Sequence, residues 1–186
     1  MSPEEKIIKN EIRAKILELE QNHDIQLSTM QKILCSIEGQ IVTILDTLYG
    51  NVRLFILDQK VIDADEDIAE KLDINEGDKI DLREVIIHKN GRPLIYGLSY
   101  IPQERCSNTV FEKLLAEKST TGHILIEHET ETRTVVKNIS VEEPSPTLQD
   151  LFHTTEDILS REYVLIHKKN IVIWCKEAFP ISYFNK

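Results

Sequence analysis

Residues 82–102 read LREVIIHKNGRPLIYGLSYIP, and the fold class turns on them. Asn90-Gly91 is the strongest short hairpin signal a sequence can carry, because both central residues of a type I′ turn need positive φ. Apolar and β-branched residues flank it on both sides. Pro93 stands where the returning strand begins, and Pro102 ends it. Side chains alternate along a strand, so Leu82, Glu84, Ile86 and His88 share one face, and Arg83, Val85 and Ile87 share the other. An arginine opening an apolar row is either an edge residue reaching water or an interior charge held for a purpose.

The end of the chain repeats the puzzle. REYVLIHKKNIVIWCKEAFP (161–180) reads as two strands around Lys168-Lys169-Asn170. On a regular strand Ile171, Ile173, Cys175, Glu177 and Phe179 share a face, which puts an acid on an apolar row. Before the first hairpin lie a strand over 51–61, a short acidic helix over 65–72 and a turn at 75–78, and between the hairpins lies a further strand with polar alternation within 123–143. Thr147 to Phe152 reads as a short helix after Pro144 and Pro146. Ser2, Pro3 and Glu5 form a capping box for a first helix with Ile8, Ile12, Ile16 and Leu19 on one face. Ser28 with Gln31 opens a second, carrying Met30, Ile33, Leu34 and Ile37, and Asn108 can cap a third with Phe111, Leu114 and Leu115. Ile41 to Leu48 fits helix or strand, its β-branched residues favouring strand. No internal repeat, low-complexity segment or linker is evident. Hairpins rather than crossover helices join the strands, which predicts one α+β domain over residues 1–186, residues 1–26 being an N-terminal helix packed on it.

The chain has 186 residues, enough for one domain with a full core. Its 41% hydrophobic and 29% charged residues suit a globular protein. No apolar run approaches the roughly 18–20 residues of a membrane span, and the charged N-terminus lacks a signal-peptide core. Cys35, Cys106 and Cys175 follow no metal-binding spacing and read as reduced thiols, so a cytoplasmic location is expected. A net charge of −10 argues against nucleic acid as a partner. It does not bar a small anion, since distant surface charges are screened.

Two opposite charges on inward faces, Arg83 and Glu177, imply either a structural ion pair or a ligand held between them, because an unpartnered buried charge costs several kcal/mol. His88, His123, His128 and His167 make no metal-binding spacing. Cys175 has the position for a nucleophile, but buried cysteines are usually packing residues. Gly97 marks a point of close approach to a strand. No Ser-His-Asp order, phosphate-binding loop or dinucleotide fingerprint is present.

These residues carry a resemblance. LREVIIHKNGRPLIYGLSYIP is similar to the core segment of chorismate pyruvate-lyases: L-R-E, six residues, G-x-P, then a short strand closing on an apolar residue and proline. IEGQIVTILDTLYGNVRLFIL (37–57), TTGHILIE (120–127) and IVIWCKEAFP (171–180) resemble three further segments in the same order, so that about residues 27–182 are covered. The family converts chorismate to 4-hydroxybenzoate and pyruvate without metal or cofactor. The resemblance implies a six-stranded antiparallel sheet, helices on one face and flap helices over a buried ligand pocket. It implies that Arg83 holds the ring carboxylate, helped by backbone N–H groups near Ile41, Thr121 and Gly122, and that Glu177 meets the ring hydroxyl or ether oxygen, where a protonated acid could donate. Here the acid stands three residues before its proline where the family spacing is four, leaving open whether Glu177 or Lys176 faces the pocket. Gln40-Ile41-Val42 also stands where relatives carry serine, a hydrophobic residue and threonine. The same fold serves as the ligand-sensing domain of some winged-helix regulators, so a non-catalytic binder of small aromatic acids is the alternative, as is a lyase for a related chorismate-like substrate. Monomer and dimer are both open.

Overall fold

The structure is a computed structural model and describes residues 11–106, 112 and 131–185. The capping box at Ser2, the helix opening at Asn108, and Thr121, Gly122, His123 and His128 lie outside the described residues. Helices α1 (Glu11–His23), α2 (Thr29–Ser36) and α3 (Ile41–Tyr49) lead into β1 (Arg53–Asp63), α4 (Glu66–Leu72), β2 (Lys79–Lys89) and β3 (Arg92–Pro102). Then come β4 (Arg133–Glu142), α5 (Pro146–Phe152), β5 (Ile158–His167) and β6 (Asn170–Pro180). The six strands form one antiparallel sheet in the order β1-β2-β3-β6-β5-β4, so the expected α+β architecture stands.

Local chemistry accounts for these elements. Asn90 and Gly91 have φ of 50° and 81°, the handedness a two-residue hairpin needs. Ser28 and Gln31 close the expected capping box on α2. Asp65 caps α4 and Ser145 caps α5, where Pro146 occupies the first turn. Residues 41–49 are helical although their β-branched content favours strand. Ile41 and Leu45, one turn apart, are both buried in the main core cluster; burial of that stripe outweighs a weak local preference.

One expectation is corrected. The chain does contain a repeat, visible in topology rather than in composition. Strand, short capped helix and hairpin occur as β1-α4-β2-β3 and again as β4-α5-β5-β6, and the halves meet along β3 and β6. Ile80 pairs with Pro102 in the first half and Ile158 with Pro180 in the second. Three residues on, Arg83 lies opposite Ser99 and Arg161 opposite Glu177. The two arginines are therefore equivalent under an approximate two-fold axis, and so are Ser99 and Glu177.

A register shift between Leu165 and Ile166 pairs Ile166 with Ile171 and Leu165 with Ile173, so one extra residue, Val172, sits in β6. Ile171 therefore leaves the row expected for a regular strand and packs in the opposite core with Ile166, while Ile173 and Cys175 stay together. A similar shift between Ile87 and His88 brings Ser99, rather than Leu98, opposite Arg83. Helices α4 and α5 bury Ile68, Leu72, Leu148 and Phe152 against one sheet face. On the other face, Leu34, Ile41 and Leu45 from α2 and α3 pack with Ile87, Ile95 and Phe179 at one end of the sheet. The rest of that face carries the site.

Candidate functional site

The sheet register puts two adjacent rows of side chains on this face. One runs Gln59, Arg83, Ser99, Cys175, Tyr163; the other runs Val85, Gly97, Glu177, Arg161. A cavity of about 420 Å³ opens over both rows, within the ~300–1,000 Å³ range of small-molecule sites. Ile87, Ile95 and Leu165 provide apolar wall, and Glu38 to Val42, between α2 and the first turn of α3, form one side. Strands lie about 4.8 Å apart and rise about 3.4 Å per residue, so the Cα atoms of Arg83 and Glu177, two strands and one row apart, are separated by roughly 12 Å. Their side chains can reach the two ends of one six-membered ring between them.

Arg83 is 1% exposed. Burial pulls its pKa down and the charge of Asp81 opposes the shift, but a guanidinium stays a cation. Glu177 faces the cavity, whereas Lys176 points to the other side of the sheet and pairs with Glu142 at 2.6 Å. The structure thus places Arg83, Ile41 and Glu177 around one cavity. Ile41 opens α3, whose N-cap Gln40 provides no side-chain capping bond, so the helix N-terminus presents backbone donors at the cavity wall. Gly97 is directly opposite Glu177; a Cβ there would stand 3.0 Å from Val85.

The residue that sequence reasoning missed is Arg161, 2% exposed. Its Nε and Nη2 both donate to Glu177 Oε2 at 2.7 Å, and Nη1 donates to the Ile37 carbonyl at 2.7 Å. Its guanidinium also lies over the Tyr163 ring, 4.8 Å from the centroid. Burial would lower the Arg161 pKa, but Glu177 and its neighbours raise it overall. The Tyr163 hydroxyl donates to the second carboxylate oxygen, Oε1, at 3.2 Å. Glu177 is therefore an acceptor in this arrangement, not the donor that an isolated acid in an apolar pocket would be. The signal that could have exposed Arg161 is the repeat: Arg83-Glu84 and Arg161-Glu162 each begin three residues after an isoleucine. The bulge in β6 hid it, since a regular hairpin from Lys168-Lys169 would set Glu177 against Ser160.

Cys175 lines the cavity, but burial and, secondarily, Glu177 push its thiol up to about 12. It holds its proton at neutral pH and is a poor nucleophile. Burial likewise raises the Tyr163 phenol well above its ordinary range. His88 and His167 lie outside the cavity lining. Among the described residues no helix is long and apolar enough to cross a membrane.

Comparison with known proteins adds a family to this geometry. A family model described as "Chorismate pyruvate-lyase Rv2949c-like" matches residues 36–185. A relative from Methanocaldococcus jannaschii named "Putative lyase MJ0807" is 27% identical over 167 residues, covering 86% of this chain and 83% of its own. Among solved structures, a GntR-family transcriptional regulator from Bacillus cereus aligns with a TM-score of 0.61 at 19% identity, covering 73% of this chain and 95% of that one. The effector domain of PhnF from Mycobacterium smegmatis aligns with a TM-score of 0.60 at 14% identity, covering 70% and 81%. At these identities the structural matches speak for the fold alone.

Proposed function

The chain belongs to the family of Rv2949c-like chorismate pyruvate-lyases, and from that premise we propose that its cavity takes chorismate and releases 4-hydroxybenzoate and pyruvate, with no metal or cofactor. The observation that carries this reading is a buried arginine and a half-buried carboxylate on one sheet face, one row apart, in a single largely apolar cavity. That is the charge pattern of a flat ring with a carboxylate at one end and a hydroxyl at the other.

Arg83 offers a planar fork to the ring carboxylate. The first N–H groups of α3 at Ile41 add to the grip. At the far end Glu177, oriented by Arg161 and Tyr163, accepts from the ring hydroxyl. The carbon–oxygen bond to the enolpyruvyl group breaks, the ring carbon bearing the hydroxyl loses its proton, and the departing enolpyruvate takes up a proton to become pyruvate. The ring becomes aromatic, so the reaction runs downhill, and the protein's main contribution is to hold the substrate in the eliminating geometry. The cavity sits within a cytoplasmic enzyme acting on a small molecule.

A second reading rests on the fold matches to an effector domain and a transcriptional regulator: the same cavity binding a small aromatic acid without turnover. Incubation with chorismate separates the two. The lyase reading expects pyruvate from the wild type and none from Arg83→Ala with its circular dichroism intact. Thermal stabilisation by 4-hydroxybenzoate with no pyruvate formed would overturn it in favour of the binding domain.

A further inference from the structure

We infer that Arg161 is a positioning residue that gives the cavity its preference for aromatic acids bearing a para-hydroxyl; this rests on the reading above, in which Arg83 takes the carboxylate and Glu177 the hydroxyl. Three observations carry it. Arg161 occupies Glu177 Oε2 twice, through Nε and Nη2, both at 2.7 Å, so that oxygen is committed to the protein. The other oxygen, Oε1, has among the described residues one longer bond, 3.2 Å from Tyr163, and Glu177 lines the cavity. A carboxylate oxygen accepts more than one hydrogen bond, so Oε1 retains capacity for a ligand hydroxyl.

The third observation concerns the cavity wall. Arg161 Nη1 holds the carbonyl of Ile37, and Thr134 holds the next carbonyl, that of Glu38, at 2.7 Å. These two bonds fix the short segment that leads into the N-terminus of α3. One guanidinium therefore sets both the direction of Glu177 and the position of the wall beside it. The two-fold relation sharpens the point. Arg83, its counterpart, has Ser99 across the strand where Arg161 has Glu177, so the two halves present different chemistry to the cavity. A site built to bond a hydroxyl discriminates strongly against an analogue lacking it, because its polar group then loses a partner.

The test is calorimetric titration of 4-hydroxybenzoate and benzoate into the wild type, Arg161→Gln and Arg161→Lys. The wild type is expected to favour 4-hydroxybenzoate by about tenfold or more. Arg161→Gln is expected to bring that ratio close to one, with 4-hydroxybenzoate losing clearly more affinity than benzoate, because Arg83 itself is kept. Arg161→Lys keeps a cation but cannot serve Oε2 twice and Ile37 at once, and is expected to fall between; it carries the test if Arg161→Gln does not fold. A merely structural arginine would weaken both ligands alike, and that result overturns the inference. So does an unchanged ratio in variants that bind. A wild type that binds neither acid overturns the underlying reading of the cavity, and is distinguished from failure of the inference alone, in which the wild type discriminates and the variants still do.

Discussion

At the scale of single residues, what separates Arg83 from Arg161 is the residue across the strand. Ser99 faces one and Glu177 the other. Writing glutamate at 99 would set a carboxylate opposite Arg83, as Glu177 stands opposite Arg161. Ser99→Glu is therefore expected to fold, since its side chain projects into a cavity of about 420 Å³, and to bind 4-hydroxybenzoate at least about tenfold more weakly by calorimetry, because a buried carboxylate competes for the same fork. Asp81 gives a second residue-scale outcome. It is fully buried, Gln59 donates to its Oδ2 at 3.0 Å, and Oδ1 has no hydrogen-bond partner among the described residues. Burial raises its pKa, against the opposing effects of Gln59 and Arg83. A carboxyl whose folded pKa lies above its unfolded value of about 3.9 costs stability while ionised, and that cost is relieved as pH falls through the raised folded value. Asp81→Asn should then unfold at higher urea than the wild type at pH 7, with the gain shrinking as pH is lowered towards 4. Arg83 and Glu177 were both legible in the sequence, because a charge on a period-two apolar row stands out. Arg161 was not: its partner is set by a bulge at Val172, and no local pattern announces a bulge.

At the scale of elements, turn chemistry was the most readable feature. Asn90-Gly91 announces its hairpin, and both residues take the positive φ expected of them. The second hairpin turns on Lys168 and Lys169, with φ of 47° and 74°, a conformation that costs an L-residue with a Cβ about 1–2 kcal/mol. There the pairing of β5 and β6 over ten strand positions imposes the turn rather than the turn dictating the pairing. Lys169→Gly should relieve part of that strain and raise the melting temperature by about 2–4 °C, as about 1 kcal/mol does in a chain of this size; an unchanged or lowered melting temperature would show that the turn carries no strain. Helix α3 was ambiguous for the opposite reason. Its β-branched residues speak for strand locally, and only the burial of Ile41 and Leu45 against the sheet decides the matter. That decision has functional weight, since a helix start, unlike a strand, offers unsatisfied N–H groups to an anion.

At the scale of the whole molecule, the fold class could be read from hairpin-dominated connections, whereas the repeat could not, because the two halves share a register and an Arg-Glu pair but little else. The consequence is a cavity that straddles the approximate two-fold axis and is chemically asymmetric: a guanidinium from one half, a carboxylate held by its own guanidinium from the other. Such a cavity suits a ligand that is itself asymmetric end to end. The most direct measurement of the central claim is product stoichiometry from purified wild-type protein and chorismate in the presence of a metal chelator. The account predicts that pyruvate and 4-hydroxybenzoate appear in equal amounts, catalytically. Absence of pyruvate, or pyruvate without 4-hydroxybenzoate, would contradict it.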